Sequence, residues 1–375
     1  MGAYIAGVGM TKVGRHFDLG LSDLAFQAVK EALSNAGASI EEVDMLVVSS
    51  TFSQIMGGQT DLSTILAQEL GITIPTLRVE AGEASGAVAL KVASDAVASH
   101  ASRAVLVVGV EKMTEFPSDK ANSALSSILN YEAEGIKNIA PVNYAALAMK
   151  EYMRKYGVSR EDLFTWAVKM HENALNNPYA HLRFRIKPEA LQAAQIISTP
   201  ITLYDMHPLS DGSAAALIVS DSLKDSFSSK CIELTDIEGA SSPPYYMRDD
   251  FTSLPSLREA YQILKKRTGF EATPDAAIEV HDSFSIYGVI SLEELGLAGR
   301  GKGVEVLNEL DNINVGGGLK ARGHPVGATP LYQLAESVHM LRGGFAGKTF
   351  NGDEALIHSM SGPDNASWVL LLRRC

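Results

Sequence analysis

The feature that most constrains the fold is one set of elements that occurs twice, in the same order. Ser22 to Gly37 reads as an amphipathic helix: Ser22 suits an N-cap, Leu24, Phe26, Val29 and Leu33 share a face, and Gly37 suits the stop. After Ile40-Glu41-Glu42-Val43-Asp44 comes an apolar strand, Met45 to Ser53. In the second half Leu257 to Thr268 reads as a similar helix stopped by Gly269, and Thr273-Pro274-Asp275 leads into the strand Ala276 to Ser285. Strands alternating with helices across short joins predict an α/β fold with mixed or parallel sheets. A chain of 375 residues is too long for one small core, so two similar lobes are expected.

The next unit repeats too. Glu83-Ala84-Ser85-Gly86 leads a helix to about Ser99, followed by the strand Ala104 to Val110. Gly323-His324-Pro325-Val326-Gly327-Ala328-Thr329 opens a helix to about Leu341 in the same way. After a turn at Gly352-Asp353 come the strands Glu354 to His358 and Trp368 to Leu372. Each of these helices starts on a tight turn of small residues, and two such turns would bring two helix N-termini to one site. A nucleophile belongs on the first turn and a histidine on the second. The histidine is present, but the first turn carries the carboxylate of Glu83. Between the halves, roughly 112–205 breaks the pattern. It is helical, polar and rich in Asn, Tyr, Met and charge, as befits an insertion that carries substrate-binding structure. Asp211-Gly212-Ser213-Ala214-Ala215 then returns the chain to a buried strand. The expected lobes are 1–225, including this insertion, and 226–375.

Charge and cysteine usage narrow the function. A formal net charge of −12 argues against nucleic acid or an anionic membrane as the main partner, although an anionic small molecule needs only a local basic patch. Cys231 and Cys375 are the only cysteines, too few for a disulfide framework or a cysteine-based zinc site. Met1 to Gly9 lacks the basic start and long apolar run of a signal peptide, and no apolar run reaches the ~18 residues of a membrane span. A cytoplasmic enzyme is the expectation.

Three histidines stand at ends of expected elements: His281 in Glu279-Val280-His281-Asp282-Ser283-Phe284, His324 in Gly323-His324-Pro325, and His358 in Ile357-His358-Ser359-Met360-Ser361-Gly362. One histidine in a turn is usually structural, but ligands of α/β sheets collect at strand ends, and three such positions in one half point to a shared site. Metal ligation is the poorer reading, because no carboxylate or thiol accompanies them at ligand spacing. The other six histidines, His16, His100, His171, His181, His207 and His339, have bland contexts.

These motifs, with Val108-Gly109-Val110-Glu111-Lys112-Met113 and Asn314-Val315-Gly316-Gly317-Gly318, run along nearly the whole chain. Together they resemble the thiolase family, in its archaeal and sterol-carrier type. The resemblance implies a layered α/β/α/β/α fold of two lobes with a helical insertion. It also implies acyl-CoA C-acyltransferase chemistry of the acetyl-CoA or acetoacetyl-CoA type, in a lipid or mevalonate setting. Coenzyme A would enter as part of the substrate, with no tightly bound cofactor and no metal. A ketoacyl synthase acting on carrier-protein substrates would share the fold, but the His281-Asp282 and His358-Ser359 turns fit the thiolase branch better. By resemblance, residue 83 should be a cysteine that takes the acyl group. His324 should activate it and help hold the thioester oxygen. His281 should polarise the second acyl-CoA carbonyl, and His358 should move the α-carbon proton.

Glu83 therefore fills the nucleophile position with a carboxylate. A helix N-terminus suits its charge by ~0.3–1 kcal/mol, and its pairing with His324 should keep that imidazole protonated. A mixed anhydride on Glu83 would be far more labile than a thioester, so ordinary covalent thiolysis is not expected. Three readings follow: an acyl-CoA enzyme that decarboxylates or condenses non-covalently, a non-catalytic acyl-CoA-binding subunit, or a thiolase by descent with residual activity. For the CoA phosphates the candidate is His181-Leu182-Arg183-Phe184-Arg185-Ile186-Lys187, whose alternation would set Arg183, Arg185 and Lys187 on one face. The resemblance further implies a homodimer or homotetramer, and an assembly with hydroxymethylglutaryl-CoA synthase and a small OB-fold scaffold protein.

Overall fold

The structure is a computed structural model and describes residues 2–375. Its strands are β1 (Ala3–Met10), β2 (Met45–Ser49), β3 (Thr76–Val79), β4 (Ala104–Glu111), β5 (Gly212–Ser220), β6 (Ile232–Ser241), β7 (Ala277–Glu279), β8 (Glu354–Ser361) and β9 (Ala366–Arg374). They form one mixed sheet in the order β3-β2-β4-β5-β1-β6-β9-β8-β7. The main helices are α1 (Leu21–Ala36), α2 (Ser85–Ala98), α3 (Pro141–Tyr156), α4 (Arg160–Ala174), α5 (Pro255–Thr268), α6 (Ser285–Glu294) and α7 (Thr329–Leu341).

The repeat seen in the sequence is a repeat in space. In the first half β2 runs parallel to both β3 and β4. In the second half β7 runs parallel to β8 and makes a single parallel bridge, Ile278 to Ile313, where β3 stands in the first half. The halves meet edge to edge: Ala3 to Ile5 of β1 pair antiparallel with Ile232 to Leu234 of β6, so two half-sheets become one. Joining them there satisfies backbone groups that two separate sheets would leave at open edges. α1 covers β1, β4 and β5 on one outer face, and α5 covers β6 and β9 on the other. α2 and α7 touch strands of both halves and form the middle layer, completing α/β/α/β/α. α7 lies enclosed in that layer and is buried at every position but His339.

Element ends differ from the sequence reading where side chains take over the backbone. α1 starts at Leu21, with Gly20 rather than Ser22 as N-cap, and the Gly20 N–H donates to Asp23 Oδ2 at 2.8 Å. Gly37 does end it, in the left-handed region at φ 70°. The strand read over 45–53 stops at Ser49, because buried Glu111 accepts the N–H groups of Thr51 and Phe52 at 2.8 and 2.9 Å. The strand read over 276–285 stops at Glu279, because Asn314 Oδ1 accepts the Val280 N–H at 2.7 Å. Both interruptions free a strand end to turn into the site. Between β4 and β5 the chain forms α3, α4 and two shorter helices, Ser118–Ser126 and Pro188–Gln192.

Candidate active site

Two loops meet where α2 and α7 begin. Gly82 has φ 58°, and a Cβ on it would lie 2.1 Å from Ser361 Oγ, so only glycine lets this turn press against the end of β8. Glu83 follows and is buried beside it. The second turn is held by Glu111, whose Oε2 also accepts the Gly327 N–H at 3.2 Å. One buried carboxylate thus ties the loop after β2 to the loop that carries His324. The His281 turn is held by Asp282. That carboxylate accepts from Trp166 Nε1 at 2.8 Å, the Leu319 N–H at 2.7 Å and Asn314 Nδ2 at 3.1 Å. Trp166 belongs to α4, so the insertion braces the site directly.

Glu83 and His324 are in contact, Oε1 to Nε2 at 3.2 Å. Glu83 Oε2 accepts the Gly362 N–H at 2.6 Å, and His324 Nδ1 meets Thr329 Oγ1 at 2.7 Å. The His281 ring lies edge-on to that of His324, centroids 5.3 Å apart, and both His281 nitrogens are buried without a partner. The His281 and His358 centroids are 6.4 Å apart. His358 is held by Ser291 Oγ at 3.4 Å and Ser367 Oγ at 3.2 Å, and Ser367 donates onward to Asp364 at 2.8 Å. All four residues singled out from the sequence therefore gather within one region.

Their charge states differ from expectation. Burial pushes the Glu83 carboxyl up from 4.5 to about 7, against the opposing pull of His207 and of the Gly362 N–H. That rise corresponds to about 3 kcal/mol against the carboxylate, at about 1.4 kcal/mol per pH unit. It outweighs the ~0.3–1 kcal/mol that a helix N-terminus returns. His324 is not kept protonated: burial, with the positive charge of Arg322, pushes its imidazole down to about 3. Burial alone pushes His358 down to about 3, and burial with the neighbouring histidines pushes His281 well below its ordinary value. The site is a buried cluster of neutral imidazoles around a carboxyl that changes charge near neutrality.

His207 belongs to the site and was passed over in the sequence. Its ring stands edge-on to His324, centroids 4.5 Å apart, and burial pushes it down to about 3. The available signal was His207-Pro208, a second His-Pro step like His324-Pro325. A cavity of about 540 Å³ opens onto Glu83 and His207, walled by Tyr131, Pro141, Val142, Ile197, Met206 and Phe284. His281, His324 and His358 are fully buried and do not line it. Arg183, Arg185 and Lys187 do not line it either. Residues 181–187 are irregular rather than a strand, so no alternating face forms, and Arg183 donates to the Leu175 carbonyl at 3.3 Å. The expectation that no carboxylate accompanies the histidines also fails in space. Donor atoms of Glu83, His281 and His324 lie within 4.8 Å of one another, a set that could hold a cation.

Two half-sheets enclose the paired helix N-termini, and the histidines gather at the strand ends beside them. The description of the thiolase N-terminal domain matches residues 3–199, and that of the thiolase C-terminal domain-like family matches residues 238–374. The chain belongs to the thiolase family. It is 32% identical to an acetyl-CoA acetyltransferase of Methanothermobacter thermautotrophicus, over 99% of each chain. It is 30% identical to human sterol carrier protein 2, over 91% of this chain and 66% of that one. Its backbone also matches the Ltp2-ChsH2(DUF35) aldolase, with TM-score 0.84 and 23% identity over 100% of this chain and 98% of that one. By family the protein is a thiolase-like acyltransferase. Among the described residues, no helix is long and apolar enough to cross a membrane.

Proposed function

We propose that the protein takes acyl-CoA into the cavity and makes or breaks a carbon–carbon bond at the acyl end by acid–base chemistry, with no covalent acyl-enzyme. The observation that carries this reading is Glu83. It stands at the position where the family resemblance puts the nucleophile, lines the cavity, contacts His324, and has its carboxyl raised to about 7. A general base works best with a pKa near the operating pH, and a carboxyl at about 7 meets that condition.

In the condensing direction the Glu83 carboxylate removes a proton from the α-carbon of one acyl-CoA. The resulting enolate attacks the thioester carbonyl of a second, and the carbon–sulfur bond of that thioester breaks. The departing CoA thiolate takes the proton back from Glu83, so atoms and charge balance without an acyl group on the protein. His281, with both nitrogens unpartnered and one within 4.8 Å of a Glu83 oxygen, stands behind the base rather than at the cavity wall. His207, which faces the cavity, is the imidazole that meets the incoming thioester. His324 and the Gly362 N–H fix the two oxygens of Glu83. His358, Ser367 and Asp364 form a buried hydrogen-bonded chain behind the site.

Exchange of the α-protons of acetyl-CoA with deuterated solvent tests the reading, because it needs only the first step. The carboxylate is the active form, so the exchange rate should rise with pH through about 7 and level off above it. A profile flat across that range would contradict Glu83 as the base. The runner-up, a non-catalytic acyl-CoA-binding subunit, predicts binding with no exchange at any pH. The partner set implied by resemblance, a homo-oligomer with hydroxymethylglutaryl-CoA synthase and an OB-fold scaffold, is proposed on the same footing.

A further inference from the structure

The two cysteines of this chain flank neighbouring strands, Cys231 just before β6 and Cys375 just after β9. In the β6–β9 ladder, Glu233 pairs with Arg373 and Ile232 with Arg374. Extended one step beyond its last pair, the same antiparallel register would set Cys231 against Cys375. Both residues wall the same surface hollow, together with Lys224, Phe227 and Ser228. Facing residues of an antiparallel pair have Cα atoms about 4.5 or about 5.5 Å apart. Both values fall inside the range of about 4.4–6.8 Å that a disulfide spans. The thiols are free in this structure, with the Cys231 S–H directed to the Lys224 carbonyl at 3.0 Å.

We infer that Cys231 and Cys375 form an intramolecular cross-strand disulfide when the protein meets a small-molecule disulfide oxidant. The sequence alone shows two cysteines and no framework, and only the sheet register brings them together. Cys375 is exposed and Cys231 is buried, which fixes the order of events. The Cys375 thiolate attacks one sulfur of the oxidant, and the oxidant's S–S bond breaks to release a first thiolate. Cys231 then loses its proton and attacks the Cys375 sulfur of the mixed disulfide, releasing a second thiolate. Two protein thiols are oxidised, one oxidant disulfide is reduced to two thiols, and the two protons end on those thiols. Burial pushes the Cys231 thiol up to about 11 and also raises Cys375, so exchange is slow at neutral pH and faster in mild alkali.

The experiment treats the full chain with oxidised glutathione in mild alkali and follows thiol count, intact mass and peptide map. The expected product has no free thiols, a mass lower by two hydrogens, and one peptide joining Cys231 to Cys375. It stays monomeric in a non-reducing denaturing gel. Cys231→Ser should instead stop at a stable glutathione adduct on Cys375. Cys375→Ser, a change at an exposed position that the fold tolerates, should keep its single buried thiol. A wild-type protein that retains both thiols, holds a glutathione adduct on Cys375, or links two chains would overturn the inference.

Discussion

Glu83→Gln should slow α-proton exchange of acetyl-CoA by ~10²–10⁴-fold, the contribution of a positioned general base. Affinity for the CoA thioester should change little, because glutamine keeps the volume and a hydrogen-bonding oxygen at the same place. Stability should move the other way. The folded carboxyl is raised to about 7, while an exposed one ionises near 4.5, so the folded state binds its proton more tightly. Wild-type stability is therefore lost as pH rises from about 4.5 to about 7, and the loss stays constant above that. Glutamine cannot ionise and escapes it, so the variant should be more stable by up to about 3 kcal/mol above pH 7. Parallel solvent-exchange and urea-unfolding measurements check both halves. Unchanged exchange with raised stability would leave Glu83 a misplaced charge rather than a base.

Arg322→Met should destabilise the fold by about 3–5 kcal/mol, the cost of leaving a buried charge without its partner. Arg322 and Glu336 are both fully buried, 2.8 Å apart, and Asn177 Nδ2 also donates to Glu336 at 3.0 Å. Glu279 lies in the same pocket with one oxygen unpartnered, and burial together with Glu336 raises its carboxyl well above normal. Removing the single guanidinium leaves these carboxyls to protonate or take up water. Methionine fills most of the volume, so the loss reads charge more than packing. Arg322 also helps to keep His324 neutral, and its removal should raise the His324 imidazole. Urea unfolding of the two proteins at neutral pH measures the effect, and a difference below about 1 kcal/mol would show the network to be energetically idle.

The order of elements was legible because each unit carries its own punctuation. Gly37 and Gly269 do end α1 and α5 in the left-handed region, at φ 70° and 72°. Glu83 and His324 were legible as partners because each opens a helix on a turn of small residues. What the sequence could not show is long-range. Glu111 and Asn314 cut two strands short by taking backbone donors far from them in sequence. The sign of the His324 charge depends on how much water the fold excludes, so proximity to a carboxylate misled. His207 had no apolar or periodic context to mark it beyond its His-Pro step, and its ring against His324 and its place in the cavity wall reveal it. Arg183, Arg185 and Lys187 looked like one face only if 181–187 were extended, and it is not.

The central claim is that Glu83 works on acyl-CoA without carrying the acyl group. Intact-protein and peptide mass spectrometry on acid-quenched wild-type protein, sampled while it exchanges acetyl-CoA protons with deuterated solvent, tests this most directly. The account predicts unmodified protein at every time point while deuterium enters the substrate. An acetyl adduct on the peptide that contains Glu83, formed and lost at the rate of turnover, would contradict it.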